Sequence, residues 1–390
     1  MPPISERNYR GIITLSLLAL TLSSCNADVQ NADQTEQQLD SLRAHIKKTL
    51  EETKVPGLGV GIIRDGKVIL AEGFGTRDTN TGLPLDSRSI FLIGSSTKPF
   101  TTTALAMLVE DGLVAWDAPV RTYVPTFGVH NDDYVSAHIT VKDLVTHRTG
   151  VPESEVSWMG STLTRQKMVA TIQNAELSVG FREKFQYNNT MFMAAGYVAG
   201  QVTNSTYEEV IHDRILKPLG MTRTEFTDLS EDDPPFRDNI AFPHAIEDNT
   251  VKRIEFEFEG AAIRPAGTLA SNIDDMLKWL RFNLNQGKYA GKELLSESGF
   301  KQLVTPHMHL SRPERTDAIQ NYGLGWFIEI YNGHKVIHHG GGATGTTTQV
   351  LFMHDDNIGM VLFTNAQSRL PSTLAYYIVD LLTGHTRNVS

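Results

Sequence analysis

Strand-like segments lie at both ends of this chain and enclose a long stretch of mainly helical sequence. Near the beginning, the β-rich runs 58–64 and 67–71 flank Asp65-Gly66, a pair that is typical of a tight hairpin turn. Near the end, four further strand-like runs occur at residues 324–331, 335–338, 347–353 and 358–364. Because two strands alone do not form a stable sheet, the sequence predicts one antiparallel sheet that is built from both ends of the chain.

Apolar residues at helical spacing predict helices that flank this sheet and fill the middle of the chain. An amphipathic helix is predicted at residues 39–52 and a last one at residues 373–382, and both would cover the sheet. Between them, helices are predicted at residues 141–146, 163–174, 190–202, 207–215 and 273–285. Thr140 is expected to open the first of these helices and Asn272 to cap the last.

The predicted fold class is therefore α/β, of the α+β type. Strands from the N- and C-terminal regions form an antiparallel sheet with flanking helices, and a large, mainly helical subdomain is inserted between them. The α/β part is expected at about residues 39–98 and 315–385, and the helical part at about residues 99–314. Pockets tend to form between such units, so an active cleft is expected where the helical part meets the sheet.

The first 24 residues have the pattern of an export signal rather than of a folded element. Arg7 and Arg10 precede an apolar run at residues 11–22, which is much shorter than the roughly 20 residues that a membrane span needs. Export is therefore expected.

The apolar run ends in Leu22-Ser23-Ser24-Cys25, which resembles the lipobox of bacterial lipoproteins. Cys25 is the only cysteine of the chain, so no internal disulfide is possible and lipidation gives this thiol a role. A polar tether at residues 25–38 would then join the folded domain to a lipid anchor in the bacterial cell envelope, on the periplasmic side. Cleavage after Ala27, which would release a soluble secreted protein, is the alternative.

Composition excludes several classes of function. The 390 residues include 40% hydrophobic residues, enough for a substantial core, and the net charge of −10 without a long Lys/Arg run argues against nucleic acid as a partner. The 13 histidines include His307-Met308-His309 and His338-His339, but neither pair has the spacing of a zinc hydrolase. No glycine loop has the phosphate-binding pattern, so neither a metal nor another cofactor is expected.

The most informative short motif is Ser95-x-x-Lys98, which precedes an apolar helical stretch that ends near Gly112. Residues three apart share a helix face, so the amine of Lys98 would reach the hydroxyl of Ser95 and could remove its proton. Pro99 fits only in the first turn of a helix, which places Ser95 at the helix start. On its own, Ser95 in such a short motif is more often a helix cap than a nucleophile. A second copy, Ser298-Gly299-Phe300-Lys301, has no long apolar helix after it and is interpreted as surface.

Two further motifs follow in the chain, Tyr187-Asn188-Asn189 and His339-Gly340-Gly341. The ordered set resembles the serine β-lactamase and penicillin-binding-protein superfamily, and within it the class C branch of β-lactamases, D-alanyl-D-alanine carboxypeptidases and related esterases. The resemblance covers roughly residues 39–382.

This resemblance implies roles for individual residues. Ser95 would be the nucleophile, and Lys98 and Tyr187 would move protons, with the main general base left open between them. A tyrosine next to a lysine ammonium can be held partly as phenolate, or it can relay the proton of Ser95 to the departing group. Asn189 can hold both Lys98 and the substrate. The remaining substrate-binding residues would be His339, Gly341 and Gly342, with the N–H of Gly342 completing an oxyanion hole.

The last motif departs from the Lys-Thr-Gly of many β-lactamases, because His339 is only partly charged at neutral pH and Gly340 lacks a hydroxyl. The resemblance therefore implies a serine hydrolase that forms an acyl-enzyme on an amide, peptide or ester bond, with strong β-lactamase activity in doubt. Cell-wall D-amino-acid peptides, β-lactams and esters remain the candidate substrates, and their choice would depend on loops such as 151–165 and 229–259. The alternative is a non-catalytic sensor that binds cell-wall peptides.

Overall fold

The computed structural model of the protein describes residues 35–154, 158–227, 238–257, 260–310 and 320–385. The predicted signal at residues 1–24, the lipidation site Cys25 and most of the predicted tether lie outside the described residues. The last four residues of that tether, 35–38, belong to helix α1, which covers residues 35–53. Parts of the two predicted specificity loops, at residues 155–157, 228–237 and 258–259, also lie outside the description.

Two compact units make up the described chain. The smaller one contains residues 35–49 and 378–385, and in it Gln38 Nε2 donates a hydrogen bond to the carbonyl oxygen of Leu381 at 3.0 Å. Its apolar residues, among them Leu42 and Ile378, are buried. The larger unit extends from Leu50 to Tyr377 and contains every described residue that the sequence proposes for catalysis or substrate binding.

Sixteen strands are present in the described residues. In chain order they are β1 Gly57–Arg64, β2 Lys67–Asp78, β3 Leu83–Pro84, β4 Phe91–Leu92, β5 Glu225–Phe226, β6 His244–Glu247, β7 Thr250–Arg253, β8 Leu269–Ser271, β9 Lys288–Tyr289, β10 Lys292–Glu293, β11 Met308–Leu310, β12 Gln320–Tyr322, β13 Phe327–Tyr331, β14 His334–Ala343, β15 Thr346–Met353 and β16 Ile358–Thr364.

Nine of these strands form the main antiparallel sheet, in the order β11-β12-β13-β14-β15-β16-β1-β2-β3. Its centre is the pairing of β1 with β16, where Val60 lies opposite Leu362. The sheet therefore joins the N-terminal and C-terminal strands, as the sequence predicts. Asp65 and Gly66, both at positive φ, form the predicted hairpin turn between β1 and β2.

Two strand predictions differ from the structure. The run predicted at residues 324–331 begins only at Phe327, because Gly325 has a φ of +78° and lies in a turn between β12 and β13. The run predicted at residues 335–338 continues to Ala343, so the glycines at positions 340–342 lie inside β14 rather than between strands. Glycine weakens strands, which hides them from sequence patterns, but here all three pair with β15.

The helices lie mostly between β4 and β11. In chain order after α1 they are α2 Lys98–Glu110, α3 Asp133–His138, α4 Val141–Leu144, α5 Arg165–Thr171, α6 Asn189–Thr203, α7 Tyr207–Ile211, α8 Lys217–Leu219, α9 Ile273–Leu284, α10 Glu297–Leu303 and α11 Leu370–Thr383. A π-helical turn, His212–Leu216, joins α7 to α8. The predicted fold class, a sheet from both chain ends with a mainly helical insertion, is confirmed.

Local capping explains where several of these helices begin. Thr140 and Asp143 form a reciprocal capping box at α4, and the side chain of Asn272 accepts the N–H of Asp275 at α9, as predicted. Helix α9 packs against β1 and β16 of the sheet. Its Trp279 also contacts α2, where the ring stacks on Phe100 with 4.0 Å between the ring centroids. None of the helices in the described ranges combines the length and the apolar composition that crossing a bilayer requires.

Candidate active site

Ser95 lies in a single 3-10 turn, Gly94–Thr97, that leads directly into α2. Pro99 occupies the first turn of α2, as its missing N–H requires, so Ser95 stands at a helix start as predicted. Its side chain is half-buried, whereas that of Lys98, one turn later, has 0% exposure. The second Ser-x-x-Lys copy lies on α10, where Ser298 and Lys301 are both exposed, in agreement with its interpretation as surface.

The amine of Lys98 is surrounded by oxygen atoms. Its Nζ lies 3.0 Å from Ser95 Oγ, 2.6 Å from Asn189 Oδ1 and 2.8 Å from the carbonyl oxygen of Ala266. These three oxygens are neutral and fix the amine beside the serine hydroxyl. A base at this distance can receive the serine proton without any movement of the backbone.

Tyr187 contacts the same serine. Its phenol is hydrogen-bonded to the side chain of Ser95, and the Lys98 Nζ lies 4.6 Å from the centre of its ring. Burial raises the pKa of Tyr187 above its ordinary value of 10, and the nearby Glu153 raises it further, more than the hydrogen bond from Ser95 lowers it. Of the two states that the sequence leaves open, the raised pKa of Tyr187 favours the neutral phenol, which can donate a proton.

Asn189 is the first residue of α6 and its position is fixed from two sides. Its side chain accepts from Lys98, while its backbone N–H donates to Glu153 Oε2. The other oxygen of Glu153 accepts from Trp158 Nε1 at 2.9 Å. Sequence reasoning missed Glu153, because a carboxylate in a loop outside any motif carries no local signal of its contact with Asn189.

His147 packs against Tyr187. Its ring stacks on that of Tyr187 with 4.3 Å between centroids, and its Nδ1 accepts the backbone N–H of Asn188 at 2.9 Å. Burial, and secondarily the positive charge of Lys98, hold the pKa of His147 well below 6.5, so the ring is neutral. His147 has a φ of 57°, an uncommon backbone conformation that places the ring under the tyrosine.

Strand β14 forms the opposite wall and approaches the serine turn closely. A Cβ on Gly341 would collide with the carbonyl oxygen of Ile93, and one on Gly94 would lie 2.7 Å from the backbone nitrogen of Gly342. Only glycine permits this approach. Thr348 Oγ1, from the neighbouring strand, donates to Ile93 O at 2.9 Å and fixes the same contact. The backbone around Ser95 thus meets the backbone of Gly342, where two N–H groups can share one oxyanion.

His339 differs from the sequence expectation in its charge. The ring is buried, its Nδ1 donates to the carbonyl oxygen of Gly340 at 2.6 Å, and its Nε2 lies 3.1 Å from the Tyr322 hydroxyl. Burial, with Lys98 nearby, lowers the pKa of His339 to about 3. His339 is therefore neutral at pH 7, and both ring nitrogens are hydrogen-bonded within the protein.

This shift predicts a pH-dependent stability. Between about pH 3 and pH 6.5 the unfolded chain binds a proton at His339 that the folded protein does not, so the free energy of unfolding falls as the pH is lowered through this range. From pH 7 to pH 5 the loss that is due to His339 should be about 2 kcal/mol. We expect urea unfolding of His339→Gln to show a smaller difference between pH 7 and pH 5 than the wild type does.

For each variant, the free energy of unfolding at pH 5 is subtracted from the value at pH 7. A destabilisation by His339→Gln that is the same at both pH values therefore cancels. His309→Gln, which changes an exposed ring on β11, serves as the control and should keep the wild-type difference. An unaltered pH difference in His339→Gln would contradict the assignment.

The site opens into a pocket of about 380 Å³. Of the residues proposed from the sequence, five line it directly, namely Ser95, Tyr187, His339, Gly341 and Gly342. Lys98 and Asn189 are not among the residues that line the pocket, but Lys98 contacts Ser95 and Asn189 contacts Lys98. Sequence reasoning missed several lining side chains, including Phe327, Gln349 and Arg369, which come from elements without a motif. Among the described residues, no three metal-binding side chains cluster.

A model of the Beta-lactamase family matches residues 42–383 of this sequence. The chain belongs to the beta-lactamase family. The match includes Ser95, Lys98, Tyr187, Asn189 and the glycines of β14 in one continuous span. The membership agrees with the resemblance of its motifs to the serine β-lactamase and penicillin-binding-protein superfamily.

Individual members of the family are related at low identity. The sequence is 25% identical over 351 residues to Unguisins hydrolase ungD' of Aspergillus campestris, covering 86% of this chain and 64% of the fungal protein. It is 26% identical over 357 residues to Protein flp of Staphylococcus aureus, covering 90% of this chain and 67% of that protein. The chain thus spans about two thirds of the length of these relatives.

The fold is also similar to that of a solved member. The structure of the octameric penicillin-binding protein homologue from Pyrococcus abyssi matches with a TM-score of 0.78 and 27% sequence identity, over 89% of this chain and 77% of the archaeal one. The nine-stranded sheet and its helices are therefore the fold of the penicillin-binding-protein superfamily.

Proposed function

We propose that this protein hydrolyses an amide, peptide or ester bond through a covalent acyl-enzyme on Ser95. The observation that carries the proposal is the distance of 3.0 Å between Lys98 Nζ and Ser95 Oγ, with the Tyr187 phenol bonded to the same hydroxyl. A serine becomes nucleophilic only when a neighbouring base takes its proton, and a buried amine in contact with the hydroxyl meets that requirement.

The residues suggest an order of proton transfers. In the reacting form of the site, Lys98 is an uncharged amine. Ser95 Oγ attacks the carbonyl carbon while its proton passes to this amine, and the carbonyl oxygen becomes an oxyanion between the backbone N–H groups of Ser95 and Gly342. Tyr187, a neutral phenol, donates its proton to the departing amine or alcohol as the bond to the carbonyl carbon breaks. Lys98 then passes its proton to Tyr187, which restores both groups. A water molecule attacks the carbonyl carbon of the acyl-enzyme, and the same proton transfers in reverse release the acid and return the proton to Ser95 Oγ.

The chemistry of the pocket favours peptides, amides and esters over β-lactams. The position that holds a lysine in many β-lactamases is taken by His339, which is neutral, and Gly340 brings no hydroxyl. The hydrolase name of the fungal relative supports a hydrolytic reaction.

Labelling of the serine tests this proposal. The wild-type protein should react with a fluorophosphonate or with a fluorescent penicillin, and mass mapping should place the adduct on the peptide that contains Ser95. The peptide that contains Ser298 and Lys301 carries the same four-residue pattern on an exposed helix and is the internal control, which should remain unlabelled. An adduct at another serine, or binding of penicillin without any covalent adduct, would contradict the mechanism and favour a non-catalytic sensor.

A further inference from the structure

Residues 151–153 lie along the start of helix α6. The side-chain amide of Asn188 donates to the carbonyl oxygens of the first two of them, at 2.9 and 3.0 Å. Glu153, the third, is half-buried and accepts the backbone N–H of Asn189 through Oε2. This last contact reaches the residue that holds the general base, because Asn189 Oδ1 accepts from Lys98 Nζ at 2.6 Å.

Both oxygens of the Glu153 carboxylate accept a hydrogen bond. The N–H of Asn189 donates to Oε2, and the indole N–H of the buried Trp158 donates to Oε1 at 2.9 Å. The N–H groups of the first helical turn have no partner within the helix, and a negative charge at that end is stabilised by the helix dipole. A carboxylate can serve the two donors at once, whereas a carboxamide has one acceptor oxygen.

We propose that Glu153 is a positioning residue for formation of the acyl-enzyme, which needs both carboxylate oxygens to hold Asn189, and through it Lys98, against Ser95. This inference rests on the proposed function, because the step that Glu153 supports is the attack by Ser95. A shift of the Asn189 backbone also moves the Oδ1 that holds the Lys98 amine. Misplacement of a reacting group by about 1 Å can lower a rate about 100-fold, so a contact outside the pocket can set the rate of acylation.

Substitutions that remove one or both oxygens test the proposal in single-turnover acylation by p-nitrophenyl acetate. Glu153→Ala should lower the maximal acylation rate constant by about 10- to 100-fold and change the half-saturating ester concentration less than about threefold, because it leaves the pocket lining intact. Glu153→Gln offers one oxygen to two N–H donors and should lower the rate constant by about tenfold. Glu183→Gln is the matched control, since Glu183 is an exposed carboxylate that accepts the N–H of Gly180 at 2.8 Å, and it should keep the wild-type rate.

Trp158→Phe separates positioning from a general loss of stability. In the wild-type background it removes one donor to Glu153 and should slow acylation less than about threefold. In the Glu153→Gln background it removes the N–H that competes for the single oxygen, which can then accept from Asn189, and acylation should recover by about fivefold or more. Loss of stability alone predicts the opposite result, because phenylalanine is smaller than tryptophan and a second destabilising change adds to the first.

The outcomes separate this inference from the proposed function. Acylation of Glu153→Ala within about threefold of the wild type would overturn the role of Glu153 and leave Ser95 as the nucleophile. A further loss in the double variant, rather than a recovery, would also overturn it. Urea unfolding shows which variants are folded at the assay temperature, and if Glu153→Ala is not, the Glu153→Gln and Trp158→Phe comparison decides. If the wild type is acylated by neither the ester nor a fluorophosphonate at Ser95, the proposed function fails and this inference with it.

Discussion

Ser95→Ala is expected to lower kcat for ester and amide hydrolysis by at least about 10⁴-fold, the loss that follows removal of a nucleophile from a group that acts as a unit. The hydroxyl is the atom that Lys98 and Tyr187 both contact, so its removal leaves the other two residues without a reacting group. The residual rate should reflect only binding and oxyanion stabilisation. Steady-state kinetics on p-nitrophenyl esters, with intact-mass detection of the acyl-enzyme, would measure both effects.

The second Ser-x-x-Lys copy offers a matched control for this variant. Ser298→Ala removes an exposed hydroxyl from the same four-residue pattern and should keep the wild-type rate. Chemical denaturation should show that Ser95→Ala remains folded, because the change removes one half-buried oxygen. Turnover by purified Ser95→Ala within tenfold of the wild type would rule out Ser95 as the nucleophile.

Lys98→Met is expected to reduce kcat by about 10³- to 10⁴-fold, at the upper end of what a general base contributes. Methionine fills nearly the same volume but cannot take a proton from Ser95. Ser95 then meets the substrate as an unactivated alcohol, so acylation should become rate-limiting and the acyl-enzyme should no longer accumulate. Stopped-flow measurement of the burst phase, with single-turnover kinetics, would separate this effect from weaker binding.

Stability must be followed in the same variant, because Lys98 is completely buried. The change leaves Asn189 Oδ1 and the carbonyl oxygen of Ala266 without their amine donor, but it also removes the cost of burying the amine. The net change in the free energy of unfolding should stay below about 3 kcal/mol. Lys301→Met, on the exposed copy, should change neither activity nor stability. A fully active Lys98→Met would show that Tyr187 is the general base.

The parts of the fold that the sequence predicts are those with a local cause. The Asp65-Gly66 turn needs two residues that accept positive φ, and the caps of α4 and α9 depend on side chains within three positions of the helix start. The Ser95-Lys98 contact belongs to the same kind, because one helical turn brings the two side chains together. Such features can be predicted because the residues that decide them are neighbours in the chain.

The parts that the sequence misses depend on distant neighbours. Glu153 contacts Asn189 across a loop, and Arg369 reaches the pocket only because β15 holds the backbone beside it. The neutrality of His339 and of Tyr187 follows from burial, which no spacing of residues reveals. The glycines of β14 are a third case. Gly341 must be a glycine because the backbone of Ile93, almost 250 positions earlier in the sequence, leaves no space for a side chain there.

The pairing of β1 with β16 also bears on how this protein acquires its activity during synthesis. A nascent chain that has left the ribosome as far as residue 330 already contains Ser95, Lys98 and Tyr187, but β1 still has an unpaired edge and the serine turn has no opposing wall. Exposed strand edges favour aggregation, and contacts of such large sequence separation form late in folding. The proposed hydrolytic site is therefore complete only after β14 and β16 have been made, and until then β1 keeps an exposed edge.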